Sequence, residues 1–404
     1  MKIPLHRRSW VAPALLVLCS PMPVWAQDHA PLRLKAETSL RLDSNLFRLP
    51  AGADTVALVG KSSAAEQIGV SSLSLSFSRT LRLQRFELNL SLVDSRYQNF
   101  NYLSFVARNY NTAWRWSLTP RLRGNLTTEH KESLGSFSDF QDITQRNQRT
   151  ETNTRLDALY EVDGAWRILT GVSEFTQTSQ RPLAAQGDYT ARSADLGLSY
   201  AFASGSSLTH TLKQTTGKYL GHVLPSPDLL DDGFSQRDHE LRLHWAINGN
   251  STADISAAHI SRTHPNYSQR DYSGLNTGIN VNWRISGKSS LSMGWVRELS
   301  SYQSSSANYT RTDRISVGPV WQISPKTTVR LGYEFAVRDY LGSPTGLSTM
   351  RRSDTTRDAT LSFDWQPSQY FTLSSSLQNA SRASSLPGLD YNSSMAVFSA
   401  QFNY

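Results

Sequence analysis

The chain has 404 residues, of which 38% are hydrophobic and 18% charged, with a mean hydropathy of -0.43 and a formal net charge of +8. After residue 26 no stretch approaches the roughly 18 to 20 consecutive apolar residues that a membrane helix needs, which excludes a polytopic helical membrane protein. The single cysteine, Cys19, precedes the expected mature start, so the mature chain has no thiol for a disulfide, a thiolate metal site or a nucleophile.

The N-terminus reads as a secretory leader over residues 1–26: Lys2, Arg7 and Arg8 are the basic region, Val11 to Leu18 the apolar core, and Val24-Trp25-Ala26 the cleavage site. A lipoprotein alternative would acylate Cys19, but Leu18 stands where a small residue is wanted. Without the leader the charge is +5 and of mixed sign, which gives no argument for a nucleic-acid partner.

From Leu34 to Tyr404 the pattern is period-two alternation in runs of about nine to thirteen residues, the signature of strands. Leu122, Gly124, Leu126, Thr128 and His130 alternate with Arg123, Asn125, Thr127, Glu129 and Lys131. Farther on, Val329, Leu331, Tyr333, Phe335 and Val337 alternate with Arg330, Gly332, Glu334, Ala336 and Arg338. Tight turns recur at Arg79 to Arg85, Thr119-Pro120, Asp163-Gly164, Ser204-Gly205, Asn248-Gly249-Asn250, Ser286-Gly287-Lys288, Ser324-Pro325-Lys326 and Gln366-Pro367-Ser368.

Between them lie longer loops near 45–66, 99–103, 137–148, 179–188, 221–234, 265–271, 302–309, 341–352 and 380–390. Eight tight turns and nine loops predict about eighteen strands over residues 27–404: a single outer-membrane antiparallel β-barrel with short periplasmic turns and longer extracellular loops. A propeller or tandem sandwich shares the alternation. Against it, no blade-length repeat is present, and Trp114, Trp116, Trp166, Trp245, Trp283, Trp295, Trp321 and Trp365 follow the apolar phase, most of them near tight turns, as an interfacial girdle would. The alternating aromatic end, Phe398 to Tyr404, is like an outer-membrane assembly signal.

Function is therefore expected in the lumen or loops. The phase opposite the apolar one carries Arg115, Arg121, Arg123, Arg155, Arg167, Arg242, Arg284, Arg314, Arg330 and Arg338, interleaved with Glu129, Glu151, Asp157, Glu161, Asp195, Glu240, Asp254, Glu334 and Asp364. Two readings stand: salt-bridge ladders that stiffen a water-filled wall, or a pore-lining arginine excess that guides an anionic or hydroxyl-rich solute. No enzyme is expected, and no metal or other cofactor: His239 and His244 lack the HExxH pattern, and no Gly-x-Ser-x-Gly elbow or phosphate-cradling glycine loop occurs.

The run Leu40-Arg41-Leu42-Asp43-Ser44-Asn45-Leu46-Phe47-Arg48-Leu49-Pro50 resembles the opening of the exosortase-associated exopolysaccharide outer-membrane proteins, the EpsL-like family. Ser95 to Leu103, followed by Trp114-Arg115-Trp116, is similar to that family's second hairpin region. The resemblance implies a role in exopolysaccharide biosynthesis and export, with the barrel as the passage for a polysaccharide chain or an accessory to it. Its expected partners are outer-membrane lipid, the polysaccharide and periplasmic export components. The alternatives are a small-solute porin, marked by a loop folded inward as a constriction, and a plugged barrel that anchors polymer. Residues 45–66 and 221–234 are the candidate plug or lid.

Overall fold

The computed structural model describes residues 32–135, 137, 145–181, 187–222, 224–226, 229–302, 307–342 and 351–404. The leader with Cys19, and parts of the loops predicted at 137–148, 179–188, 221–234, 302–309 and 341–352, lie outside the described residues.

Eighteen strands form one antiparallel sheet. The first half comprises β1 (Leu32–Asp43), β2 (Glu66–Leu81), β3 (Gln84–Tyr97), β4 (Phe105–Ser117), β5 (Leu122–Leu134), β6 (Gln148–Glu161), β7 (Trp166–Ser179), β8 (Tyr189–Ala201) and β9 (Ser207–Tyr219). The second comprises β10 (Gly233–Asn248), β11 (Ser251–Thr263), β12 (Tyr272–Arg284), β13 (Ser289–Ser301), β14 (Tyr309–Ser324), β15 (Thr327–Leu341), β16 (Ser353–Trp365), β17 (Phe371–Ser384) and β18 (Tyr391–Asn403). Each strand pairs with its chain neighbours, and β1 pairs with both β2 and β18, so the sheet closes on itself. Closure leaves no open edge, which a lipid-embedded sheet requires because hydrocarbon offers no hydrogen-bond partners.

The predicted rhythm of connections holds: a short turn follows every even-numbered strand and a longer loop every odd-numbered one. The strands run longer than the alternation indicated, 12 to 16 residues, because pairing continues into the bases of the loops. β1 spans Leu32–Asp43 and opens two residues before Leu34, where the alternation begins.

Register fixes which face each side chain takes. Exposed Leu73, Leu90, Leu126, Leu156, Leu196, Leu241, Ile279, Ile315, Leu331, Leu361 and Phe398 all belong to one phase, the outer wall. Trp114, Trp166, Trp245, Trp283, Trp321 and Trp365 share it and lie close to the short turns. The described register shifts, at Ala246/Asn248 and Gln322/Ser324, sit at turn ends, so alternation read from sequence carries through the wall unbroken.

Gly124 is demanded by packing. Trp116 on β4 faces Gly124 on β5 and lays its ring over it; a Cβ there would meet that ring and the Asp157 carbonyl. Gly124→Ala is expected to cost about 1–3 kcal/mol by overpacking, read as a lower temperature for the loss of the compact band on unheated gels.

Candidate functional site

The inner face of the barrel carries nine of the ten predicted arginines. Arg115, Arg123, Arg155, Arg167, Arg242, Arg284, Arg314, Arg330 and Arg338 all lie in strands in the phase opposite the outer leucines and tryptophans. Arg121 does not: it falls in the turn between β4 and β5, exposed at the short-turn rim. Alternation counted it into the strand, but β5 begins one residue later, at Leu122.

Of the two readings of these arginines, the contacts follow the salt-bridge ladder: carboxylates answer most of the guanidinium groups. A chain of contacts runs around the lumen from β3 to β8. Arg85 reaches Glu87 at 2.8 Å, and Arg115 grips the same carboxylate at 3.0 Å. Arg115 also donates to Asn125 Oδ1 at 3.2 Å, whose Nδ2 donates to Asp157 at 2.9 Å. Arg155 lies 3.7 Å from Asp157 and donates both terminal nitrogens to Asp195, at 2.7 and 3.0 Å. Asp195 in turn stands opposite Lys213 of β9.

All of these but Glu87 line a cavity of about 850 Å³. Elsewhere on the wall Arg123 pairs with Glu161 at 2.7 Å, Arg242 with Glu240 at 2.7 Å, Arg314 with Glu334 at 3.1 Å, and Arg330 with Asp364. Arg284 donates to the Gly249 carbonyl. The wall is thus a ladder of paired opposite charges, polar and preorganised, rather than a basic ring.

Two members of the ladder were not legible as such. Asn125 bridges two ion pairs, and only its inward phase hinted at it. Gly171 is the other: the Arg155 guanidinium lies across it and occupies the space a Cβ would take.

Above the ladder, the first long loop folds inward. Phe47 is fully buried, edge-on to Phe100 (4.7 Å) and Phe137 (4.9 Å), and with Leu46, Leu49, Ala64, Leu103, Ile68 and Val70 forms the principal apolar cluster. Ile68, Val70 and the adjoining Val93 and Tyr97 are inner-phase residues of β2 and β3, so the loop packs on the lumen side. The short helix α1 (Thr55–Val59) caps on Asp54 and stops at Gly60, whose φ of 68° suits glycine.

Polar anchors hold the loop's two ends. Arg48 pairs with Asp43 at 2.9 Å, and the Asn45 side chain accepts from Leu49 N and donates to the carbonyls of Leu49 and Asn392. At the far end Glu66, 3% exposed, accepts backbone N–H groups from Gln67, Gln98, Asn99 and Phe100. The sequence did signal this: a long extracellular loop carrying Leu46, Phe47 and Leu49 has apolar side chains that need cover.

The second plug candidate, 221–234, ties into its neighbours. Asp231 is fully buried and accepts from the backbone N–H groups of Asn266 and Tyr267 and from the Asn266 side chain. Arg270 donates to the Leu229 carbonyl, and Asn308 to that of Gln269. At the base of this loop Tyr219 and Phe234 pack with Tyr189 on the inner phase, and the Arg262 guanidinium sits 3.9 Å over the Phe234 ring.

Burial pushes the Asp231 pKa up, but hydrogen bonds from Asn266, Tyr267 and Gly233 outweigh it and hold the carboxyl below its ordinary value. His264, whose side chain is almost fully buried, is pushed below its ordinary 6.5 chiefly by burial, despite Asp271 at 3.3 Å. Both groups make the interlock acid-sensitive. A loosened loop takes up a proton at His264 more readily than the packed one, so stability is lost as pH falls below about 6.5. Asp231 adds its loss only when pH falls past its own depressed value. Protease cutting between 220 and 271 is expected to accelerate below pH 6.5, and His264→Gln to flatten the first part of that curve.

Among the described residues no group of three His, Cys, Asp or Glu side chains could hold a metal ion. No family model matches the chain, and no curated protein matches it. Solved structures do. The outer membrane protein OpdK of Pseudomonas aeruginosa superposes with a TM-score of 0.51 at 13% identity, over 92% of this chain and 99% of that one. OccK2 (OpdF) of the same organism gives 0.54 at 12%, over 92% and 97%. A BenF-like porin from Pseudomonas fluorescens Pf-5 gives 0.52 at 11%, over 92% and 98%. At these identities the likeness is one of fold, and the fold is that of an outer-membrane porin-type barrel.

Proposed function

We propose that this barrel is an outer-membrane channel for small hydrophilic solutes bearing hydroxyl and carboxylate groups. The observation that carries the reading is the pairing of an inward-folded loop, which narrows the mouth, with a charge ladder set below it. Such a wall offers a passing solute both donors and acceptors at fixed positions. Each guanidinium keeps N–H groups in reserve: Arg115 and Arg242 remain more than half exposed while ion-paired. A carboxylate can exchange onto such a group from its resident acid, and sugar hydroxyls can bond to either member of a pair. OpdK has been solved with vanillate and OccK2 in complex with glucuronate, both small carboxylates, which fits this solute class.

The second reading is passage of an exopolysaccharide. It is favoured by one observation: the segment resembling the EpsL-like family, 40–50, is the anchor of the inward loop. A polymer would have to move that loop aside. Single-channel recordings in a planar bilayer separate the two. Small steps blocked by glucuronate and by monosaccharides, with long oligosaccharides inert, support the small-solute channel. Block or transit by long oligosaccharides in the intact protein overturns it in favour of the polymer passage, and absence of any conductance overturns both.

A further inference from the structure

On the outer wall the loop-side ends of the strands carry a repeated device. Arg108, Arg192, Arg237 and Arg357 all belong to the outer phase. Each lies eight residues along its own strand from an outward aromatic at the turn side: Trp116, Tyr200, Trp245 and Trp365 respectively. Eight residues at about 3.3 Å, tilted by about 40°, rise roughly 20 Å along the barrel axis, close to the height of the apolar band. His130 and His259 also face outward, on β5 and β11, opposite Tyr110 and His239. The arginines therefore stand where hydrocarbon gives way to headgroups on the loop side.

Of these four arginines, Arg192 is answered within the barrel by Glu174 at 2.6 Å, and other outward arginines are answered likewise: Arg297 by Asp313 at 2.7 Å, Arg311 by Asp339 at 2.8 Å, and Arg96 by Asp94 at 2.8 Å. Lys218 and Arg237, on adjacent strands β9 and β10, are exposed and meet no carboxylate within ion-pair distance among the described residues. Arg237 touches only the Gln214 amide oxygen, at 3.2 Å. Arg192 faces Thr216, whose next outward neighbour along β9 is Lys218, and Ser235 lies opposite Thr216. Two uncompensated cations and a guanidinium thus flank a row of hydroxyl and amide groups, all turned toward lipid.

We propose that this face of β8 to β10 binds the phosphate groups of glycolipid in the outer leaflet. Basic side chains and hydroxyls on one rigid sheet suit a multiply charged phosphate headgroup, whose acyl chains would lie against the outward leucines below, such as Leu196, Leu212 and Leu241. The proposal rests on the barrel spanning the outer membrane with its long loops outside. It is independent of what passes through the lumen, so conductance measurements do not bear on it.

The test is retention of bisphosphorylated lipid A by the full-length barrel after extraction from phosphatidylethanolamine vesicles, counted by native mass spectrometry. The intact chain is expected to keep this lipid and to lose it when the phosphates are removed. Lys218→Gln with Arg237→Gln is expected to lower retention about fivefold per charge removed, whereas Lys218→Arg with Arg237→Lys keeps it. Arg79→Gln, at the opposite rim, is a control expected to retain lipid. Equal retention of dephosphorylated lipid, unchanged retention by the glutamine pair, or equal protection of the barrel by inorganic phosphate alone would each overturn the assignment.

Discussion

Replacing residues 46–64 by a short Gly-Ser linker is expected to raise single-channel conductance severalfold, because it removes the apolar cluster that the first loop seats on the inner faces of β2 and β3. The point substitution Phe47→Ala tests the same idea more finely. Phe47 is fully enclosed and packs edge-on to two phenylalanines, so truncation should cost about 3–5 kcal/mol of loop seating. That cost falls on the loop rather than on the hydrogen-bonded wall, so the barrel should stay folded while the current flickers between two levels. Conductance identical to that of the intact protein in both variants would show that the loop lies outside the conducting path.

The second large effect concerns the ladder. Arg155 donates two hydrogen bonds to Asp195, whose side chain is only 9% exposed, and bridges on to Asp157. Arg155→Ala leaves those carboxylates facing the lumen with Lys213 as the nearest cation across the strand pair. Block by glucuronate is expected to weaken by at least tenfold, since a charge-assisted hydrogen bond contributes about 1.5–3 kcal/mol. The anion-to-cation permeability ratio, from reversal potentials in a salt gradient, should fall with it. Asp195→Asn should shift the ratio the other way, and the double variant should lie between them if the two side chains act as a pair. An unchanged ratio in Arg155→Ala would remove this wall from the selectivity path.

Architecture was almost fully legible in the sequence, for a physical reason. In a barrel every strand presents one face to lipid and one to the lumen, so the period-two pattern persists over the whole chain without a mixed core to blur it. With both described register shifts at turn ends, phase survived to assign Arg115, Arg155 and Arg330 correctly. Arg121 failed because phase says nothing about where pairing starts.

Partnership was the part that alternation does not encode. That Arg115 shares Glu87 with Arg85, or that Asn125 links Arg115 to Asp157, depends on register between strands and on rotamers, which a single sequence does not specify. The inward loop was half legible: residues 45–66 were singled out for their length, but the burial of Glu66 by four backbone N–H donors follows from a loop closing over it from residues 98–100.

The seam between β1 and β18 ties the loop to the history of the molecule. Asn45 donates to the Asn392 carbonyl, Ser393 donates to Asp43, Ser44 N–H donates to the Ser394 carbonyl and Ser394 N–H to the Ser44 hydroxyl oxygen, contacts between residues about 350 positions apart. None of them exists until the last strand has docked against the first. A chain truncated before residue 391, or stalled during insertion, would therefore have both an open edge and an unfastened first loop. Completion of the wall and fastening of the first loop are a single event, so a half-built barrel would carry that loop loose.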